Sequence, residues 1–106
     1  MLTVSFARIK PDKETRLREW LAELGARREE VRRSLSQEGT RQEQMYILPT
    51  PGAPVLVYVM EADDVQRAYS VYGASTLPID ESHRAVLAEV LAEQLHLEPL
   101  YDCSRD

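Results

Sequence analysis

The chain predicts a single α+β domain over residues 1–106, with strand, helix, strand, strand, helix and strand in that order. Three observations carry this expectation. Residues 2–10 alternate with period two, a long apolar stripe at helical spacing follows, and the run "VLVYVM" at 55–60 is apolar on both of its faces.

In the first strand Leu2, Val4 and Phe6 share one face, and Thr3, Ser5, Ala7 and Ile9 the other. The more apolar set is expected to face the helices, with Arg8 following it at the strand's end. Pro11 stops the strand and Asp12 is placed to cap a helix. That helix is expected from about residue 13 to 37, with Leu17, Leu21, Leu24, Val31 and Leu35 as its stripe and Trp20 beside it. Glu14–Arg18, Glu23–Arg27 and Glu29–Arg33 support it as acid-first pairs one turn apart. At the standard rise it would measure roughly 35–40 Å, more than a four-stranded sheet needs, so its second half would overhang or bend at Gly25. Gly39 is the expected end.

"RQEQMYIL" at 41–48 reads as the second strand and "PVLVYVME" at 54–61 as the third, joined by "PTPGA". Val55, Val57 and Val59 lie on one face of the third strand and Leu56, Tyr58 and Met60 on the other, so it belongs at the centre of the sheet. Asp63 or Asp64 caps a short helix carrying Val65, Ala68, Tyr69 and Tyr72 and ended by Gly73. A further helix begins near Asp80 and carries Val86, Leu87, Val90 and Leu91. The last strand is expected at about 97–102, "LEPLYD", at an edge because Pro99 has no amide to donate. The order is β-α-β-β-α(α)-β, the ferredoxin-like arrangement, with all helices on one face of a four-stranded antiparallel sheet. The other face, with Leu56, Tyr58 and Met60 expected on it, would be bare, and a homodimer packed sheet to sheet is the economical way to cover it.

A net charge of −5 argues against nucleic acid as a partner, because phosphate binding requires a basic face. The one basic cluster, Arg27, Arg28, Arg32 and Arg33, is interrupted by Glu29 and Glu30 and reads as a solvated helix face. The longest apolar run is far too short to span a bilayer, so no membrane association is expected. Cys103 is the only cysteine, which excludes an internal disulfide. Together with an N-terminus that lacks a secretory pattern, it leads to the expectation of a cytoplasmic protein.

The segments "RIKPDKETRLREWLAELGARREEV", "LVYVMEADD", "PIDESHRAVLAEVL" and "LEPLYD" resemble the dimeric α/β-barrel superfamily, and within it a group of small prokaryotic proteins of unknown function. A glycine commonly follows "KP" in that group, where this chain has Asp12. The resemblance implies the fold and a dimer, not a reaction. The superfamily includes cofactor-free monooxygenases, lactone isomerases, sugar mutarotases, haem-binding proteins and stress-induced barrels, so function has to be argued from the site.

His83 lies one turn before Leu87 and so tends to the inner side of its helix. It can serve as an acid or base near neutrality, or simply pack in a first turn. Arg8 can hold an anion or a developing oxyanion, or pair with a glutamate at the sheet rim. Tyr58 can place a hydroxyl in an apolar cavity or pack against a partner chain. Glu43 and Tyr46 fall on opposite faces of the second strand, and Trp20, Tyr69 and Tyr72 read as core or its rim.

No metal site and no cofactor are expected. His83 and His96 are 13 residues apart, which puts them at opposite ends of one helix. His83 with Asp80 is at most a two-ligand fragment, haem ligation through His83 has little support, and Cys103 has no activating neighbour in sequence. Two functions remain. One is a homodimer that binds a small molecule or another protein without catalysis. The other is a cofactor-independent enzyme of monooxygenase, isomerase or mutarotase type, with His83 as acid or base, Arg8 as anion contact and Tyr58 as hydrogen-bond donor.

Overall fold

The computed structural model describes residues 1–106. Strand β1 (Leu2–Ile9) is followed by helices α1 (Glu14–Ala26) and α2 (Arg28–Glu38) and the hairpin of β2 (Thr40–Leu48) and β3 (Val55–Ala62). Helices α3 (Val65–Ala74) and α4 (Pro78–Val90) then lead into β4 (Leu91–Leu97). The sheet is antiparallel, in the order β2-β3-β1-β4. This is the ferredoxin-like arrangement, with the doubly apolar β3 in the interior of the sheet. No helix is long and apolar enough to cross a membrane.

The helices cover the face that carries Ser5, Ala7 and Ile9 on β1 and Leu56, Met60 and Ala62 on β3, all buried. Leu17 and Trp20 from α1 and Ile79, Val86 and Val90 from α4 close onto Ile9 and Leu56 to form the main core. Both faces are therefore the reverse of the expectation. Leu2, Val4, Phe6 and Arg8 point away from the helices, and Leu56, Tyr58 and Met60 lie beneath them. The physical reason is room. Ser5 and Ala7 leave space for helices to approach and for a cavity above the middle of the sheet, which the larger Val4 and Phe6 would fill. On the uncovered face the register sets Val57 between Phe6 and Tyr46. Leu2, Tyr46, Leu48, Leu95 and Leu97 stand 46–65% exposed there.

The expected long helix is two helices. Arg27, at φ −105° and ψ 45°, breaks it two residues beyond Gly25. Its guanidinium bonds Glu23 at the end of α1 (3.1 Å) and both carboxylate oxygens of Glu30 at the start of α2 (2.8 and 2.9 Å). Because of this break α2 does not overhang, and its stripe borders the interior. Gly39 ends it in the left-handed region at φ 78°. Asp12 is not a helix cap. It turns the chain at φ 62°, a conformation that short polar side chains tolerate and glycine adopts freely, and α1 starts without a side-chain cap. Asp64 is the residue that caps α3, accepting from the Arg67 amide at 3.0 Å.

The last strand also lies earlier than expected. It begins at Leu91 directly after α4, and Glu98 to Asp106 form no regular element. His96 is consequently on β4 opposite Ser5, not at the end of a helix. Leu87, Leu91 and Leu95 keep helical spacing, but Leu95 and Leu97 also alternate with Gln94 and His96. Pairing with the open edge of β1 decides in favour of the strand. The register between β1 and β4 slips between Ala7 and Ile9. A second slip, at Arg41 on β2, brings both Thr40 and Glu43 to the helix side of the sheet.

Candidate functional site

Between the helices and the sheet lies a cavity of about 100 Å³. Its apolar wall includes Leu24, Val31 and Leu35 from the first two helices and Ile79 and Leu87 from α4. Its polar wall is made by Glu38, Glu43, Tyr58, Tyr69, Tyr72 and His83. Two of the three expected site residues, His83 and Tyr58, meet here. Arg8 does not. It is exposed on the opposite face of the sheet, paired in register with Val55, because it shares the parity of the uncovered residues.

The indole Nε1–H of Trp20 donates to Nδ1 of His83 at 2.7 Å, with the two rings stacked at 6.0 Å. That bond assigns the tautomer: Nδ1 carries the lone pair and Nε2 carries the proton. Burial pushes the His83 pKa down to about 4, outweighing the nearby Asp80 carboxylate, and the Arg84 charge lowers it further. At neutral pH His83 is therefore an uncharged ring with its one lone pair occupied, and it offers the cavity an N–H donor.

Tyr58 donates to Glu43 Oε2 at 2.9 Å across the β2–β3 pair. Burial raises the pKa of both groups. Tyr69 and Tyr72 stand three residues apart on α3, so both rings reach the same side. Their hydroxyl oxygens are buried and make no well-formed hydrogen bond; burial raises both of their pKa values, and the nearby Ser5 and Thr3 hydroxyls hold that of Tyr69 down in part. Arg84 sits behind Tyr72, 5.4 Å over its ring, donating to the carbonyls of Tyr72 (2.5 Å) and Ser75 (2.7 Å).

Beneath this wall is a buried polar cluster. Ser34 Oγ lies 2.6 Å from Asp80 Oδ1 and 3.1 Å from Glu38 Oε2, Ser75 Oγ is 2.6 Å from Asp80 Oδ2, and Thr40 Oγ1 is 2.9 Å from Glu38 Oε1. Ser34 has a single hydroxyl proton and cannot donate to both carboxyls. The two 2.6 Å contacts on Asp80 are the shortest of the cluster, so Ser34 and Ser75 both donate to it. Glu38 accepts from Thr40 and has a longer contact with Ser34. Burial raises the Glu38 pKa. The chain of contacts fastens α2, β2 and the start of α4 around the cavity floor.

The sequence placed Asp80 only near the start of a helix and beside His83 in a two-ligand fragment, and Tyr69 and Tyr72 in the core or its rim. It did not single out Ser34 or Glu38. A signal for Glu38 was present, because it falls in line with Val31 and Leu35 on the inward stripe of α2. Glu43 shares strand parity with Met45 and Ile47, and an acid on an apolar face asks for a partner. No group of three or more histidine, cysteine, aspartate or glutamate side chains is arranged to hold a metal ion.

A family of unknown function, DUF6176, matches residues 2–106. The chain belongs to this family. No curated protein matches it in sequence. Among solved structures it is similar to Rv0793 of Mycobacterium tuberculosis (20% identity, TM-score 0.56, 97% of each chain covered). A dimeric protein of unknown function with a ferredoxin-like fold from Bacteroides fragilis is also similar (14% identity, TM-score 0.56, 91% of this chain and 90% of that one). So is a candidate antibiotic biosynthesis monooxygenase from Nitrosomonas europaea (18% identity, TM-score 0.55, 97% and 92%). At these identities the likeness is one of fold.

Proposed function

We propose that this protein is a homodimer, joined through the uncovered sheet face, that binds a small organic molecule in the cavity of each protomer. The observation that carries the binding reading is the pair of buried, unpartnered hydroxyls of Tyr69 and Tyr72 beside an enclosed space. Buried polar groups without partners are costly, and a ligand that bonds them recovers that cost. The neutral Nε2–H of His83 adds a donor to the same wall. The dimer is supported by the exposed leucines and tyrosine around Val57 and by the description of the Bacteroides fragilis relative as dimeric.

Native mass spectrometry of the purified protein tests both parts. The expected result is a dimer that sheds a small mass on activation. A Tyr69→Phe, Tyr72→Phe double variant is expected to lose that mass while gaining thermal stability as the empty protein. A monomer would end the sheet-to-sheet reading. A double variant that keeps the mass as firmly as the wild type would end the ligand reading.

A second reading, a cofactor-independent enzyme, is favoured by one observation: Glu43, whose pKa is raised by burial, shares the cavity with the His83 donor. In that reading Glu43 takes the part of the base, because the His83 lone pair is occupied by Trp20 and Arg8 is on the other face. Loss of turnover in Glu43→Gln with His83→Gln retaining a measurable rate would support it, and the reverse pattern would refute it.

A further inference from the structure

Three carboxyl groups, Glu38, Glu43 and Asp80, border one enclosed space, and no lysine or arginine does. The guanidinium of Arg84 is committed to two backbone carbonyls and the ring of Tyr72. Burial keeps His83 neutral, and Trp20 occupies its lone pair. Burial raises the pKa of Glu38, and no counter-ion borders the cavity to oppose it. Both Asp80 oxygens are occupied by serine hydroxyls, and Glu38 is bonded to Ser34 and Thr40. Glu43 differs from them. Tyr58 occupies Oε2, and Oε1 accepts no hydrogen bond from the protein.

Three tyrosines, Tyr58, Tyr69 and Tyr72, line the same cavity. Aromatic rings attract cations, and the unpartnered hydroxyls can accept as well as donate. An anionic ligand would meet like charge here. An alcohol would satisfy the hydroxyls and leave the Glu43 carboxylate without a counter-charge. We propose that the ligand of this cavity is a small organic cation, a primary or secondary amine on a compact apolar body, whose ammonium group binds Glu43 Oε1. This rests on the cavity-ligand reading above and adds the charge of the ligand to it. An apolar cavity of about 150 Å³ admits benzene, so one of about 100 Å³ suits a body of roughly four heavy atoms.

Three molecules of nearly one shape and different charge make the test: 2-methylpropylamine, 2-methylpropanol and 2-methylpropanoate, titrated at pH 7 into the purified protein and followed by the resonances of the cavity residues. The amine is expected to bind about tenfold or more tightly than the alcohol, and the carboxylate not at all. Glu43→Gln is expected to bring the amine down to the level of the alcohol and to leave the alcohol unchanged. The alcohol binding most tightly, or the amine binding equally to wild type and E43Q, overturns the cationic ligand while the cavity reading stands. Absence of binding by all three overturns both. Should E43Q fail to fold, the order of the three affinities in the unaltered protein still upholds or overturns the cationic ligand.

Discussion

The two faces of this one sheet are built to opposite rules. The helix side carries small and polar residues at its centre, Ser5 and Ala7 on β1 beside Tyr58 on β3, and there the helices enclose a cavity with acid and phenol groups on its wall. The far side carries the uniform apolar set, Val4 and Phe6 against Val59 and Val57, and no element of this chain covers it. The contrast shows that the more hydrophobic face of a strand need not be the one that meets its own helices. Here the small side chains make room for the cavity under the helices, and the larger apolar residues are left on the uncovered face.

The comparison breaks most visibly if the two faces are cut in turn. Leu17→Ala opens a hole in the intramolecular core, where the side chain is fully buried. It is expected to cost about 2–5 kcal/mol in urea unfolding, whatever the state of association. Val57→Asp, at the centre of the uncovered face, is expected to give a folded monomer by light scattering, with the cavity intact. Should Val57→Asp unfold the chain while Leu17→Ala merely dissociates it, the roles assigned to the two faces would have to be exchanged.

How much of this was legible in the sequence follows from the same contrast. Period-two alternation reveals that a strand has two faces, but not which one the helices take. Leu2, Val4 and Phe6 look like the core side until Ser5 and Ala7 are seen packed beneath α1 and α4. The ferredoxin-like order was readable, because β3 is apolar on both faces and the turn residues are strong. The break at Arg27 was not, since its charged side chain continues the helical pattern of ion pairs. β4 was displaced because its leucines satisfy two periods, and only the edge of β1 chooses between them. At the site, His83 was visible as a polar residue on the inner side of its helix, and Tyr58 as a polar residue on an apolar strand, though on the face expected to be bare. The Ser34–Glu38–Asp80 cluster joins residues far apart in the chain, and no local spacing announces it.

An effect of intermediate size is expected at Trp20. Trp20→Phe keeps the ring and removes the N–H, leaving Nδ1 of His83 buried and unbonded, at a cost of about 1–3 kcal/mol. It also removes the group that opposes protonation at Nδ1. The His83 pKa is then expected to rise above about 4 while staying well short of the ordinary 6.5, because the ring remains buried, read from the imidazole proton shifts between pH 3 and 8. The consequence for stability has a definite sign. His83 binds its proton more weakly folded than unfolded, so its contribution is present above pH 6.5 and is lost as pH falls toward 4. Glu38 and Glu43 are raised above 4.5, so theirs is present below 4.5 and is lost as pH rises through their folded values. The two slopes have opposite signs above pH 4.5, up to the folded values of the glutamates. In the Trp20→Phe variant the histidine slope flattens, and urea midpoints across that window are expected to fall with pH more steeply than those of the wild type. An unchanged His83 titration would mean that the indole bond does not hold the tautomer.

The smallest expected effect is the sharpest test of the two-face description. Arg8 is the residue that chemistry alone would enlist as an anion contact, and strand parity places it on the far side of the sheet from His83 and Tyr58. Its side chain makes no ion pair within the chain, so Arg8→Ala is expected to change monomer stability by no more than about 0.5 kcal/mol. Whatever the cavity binds, its affinity in Arg8→Ala is expected to match the wild type within about twofold, because the sheet separates the guanidinium from the ligand. The dimer equilibrium is where the substitution is free to act, since Arg8 borders the face that a second protomer would cover. A loss of cavity binding with an unchanged dimer would bring Arg8 back into the site, and would require the two faces of the sheet to communicate through the backbone of β1.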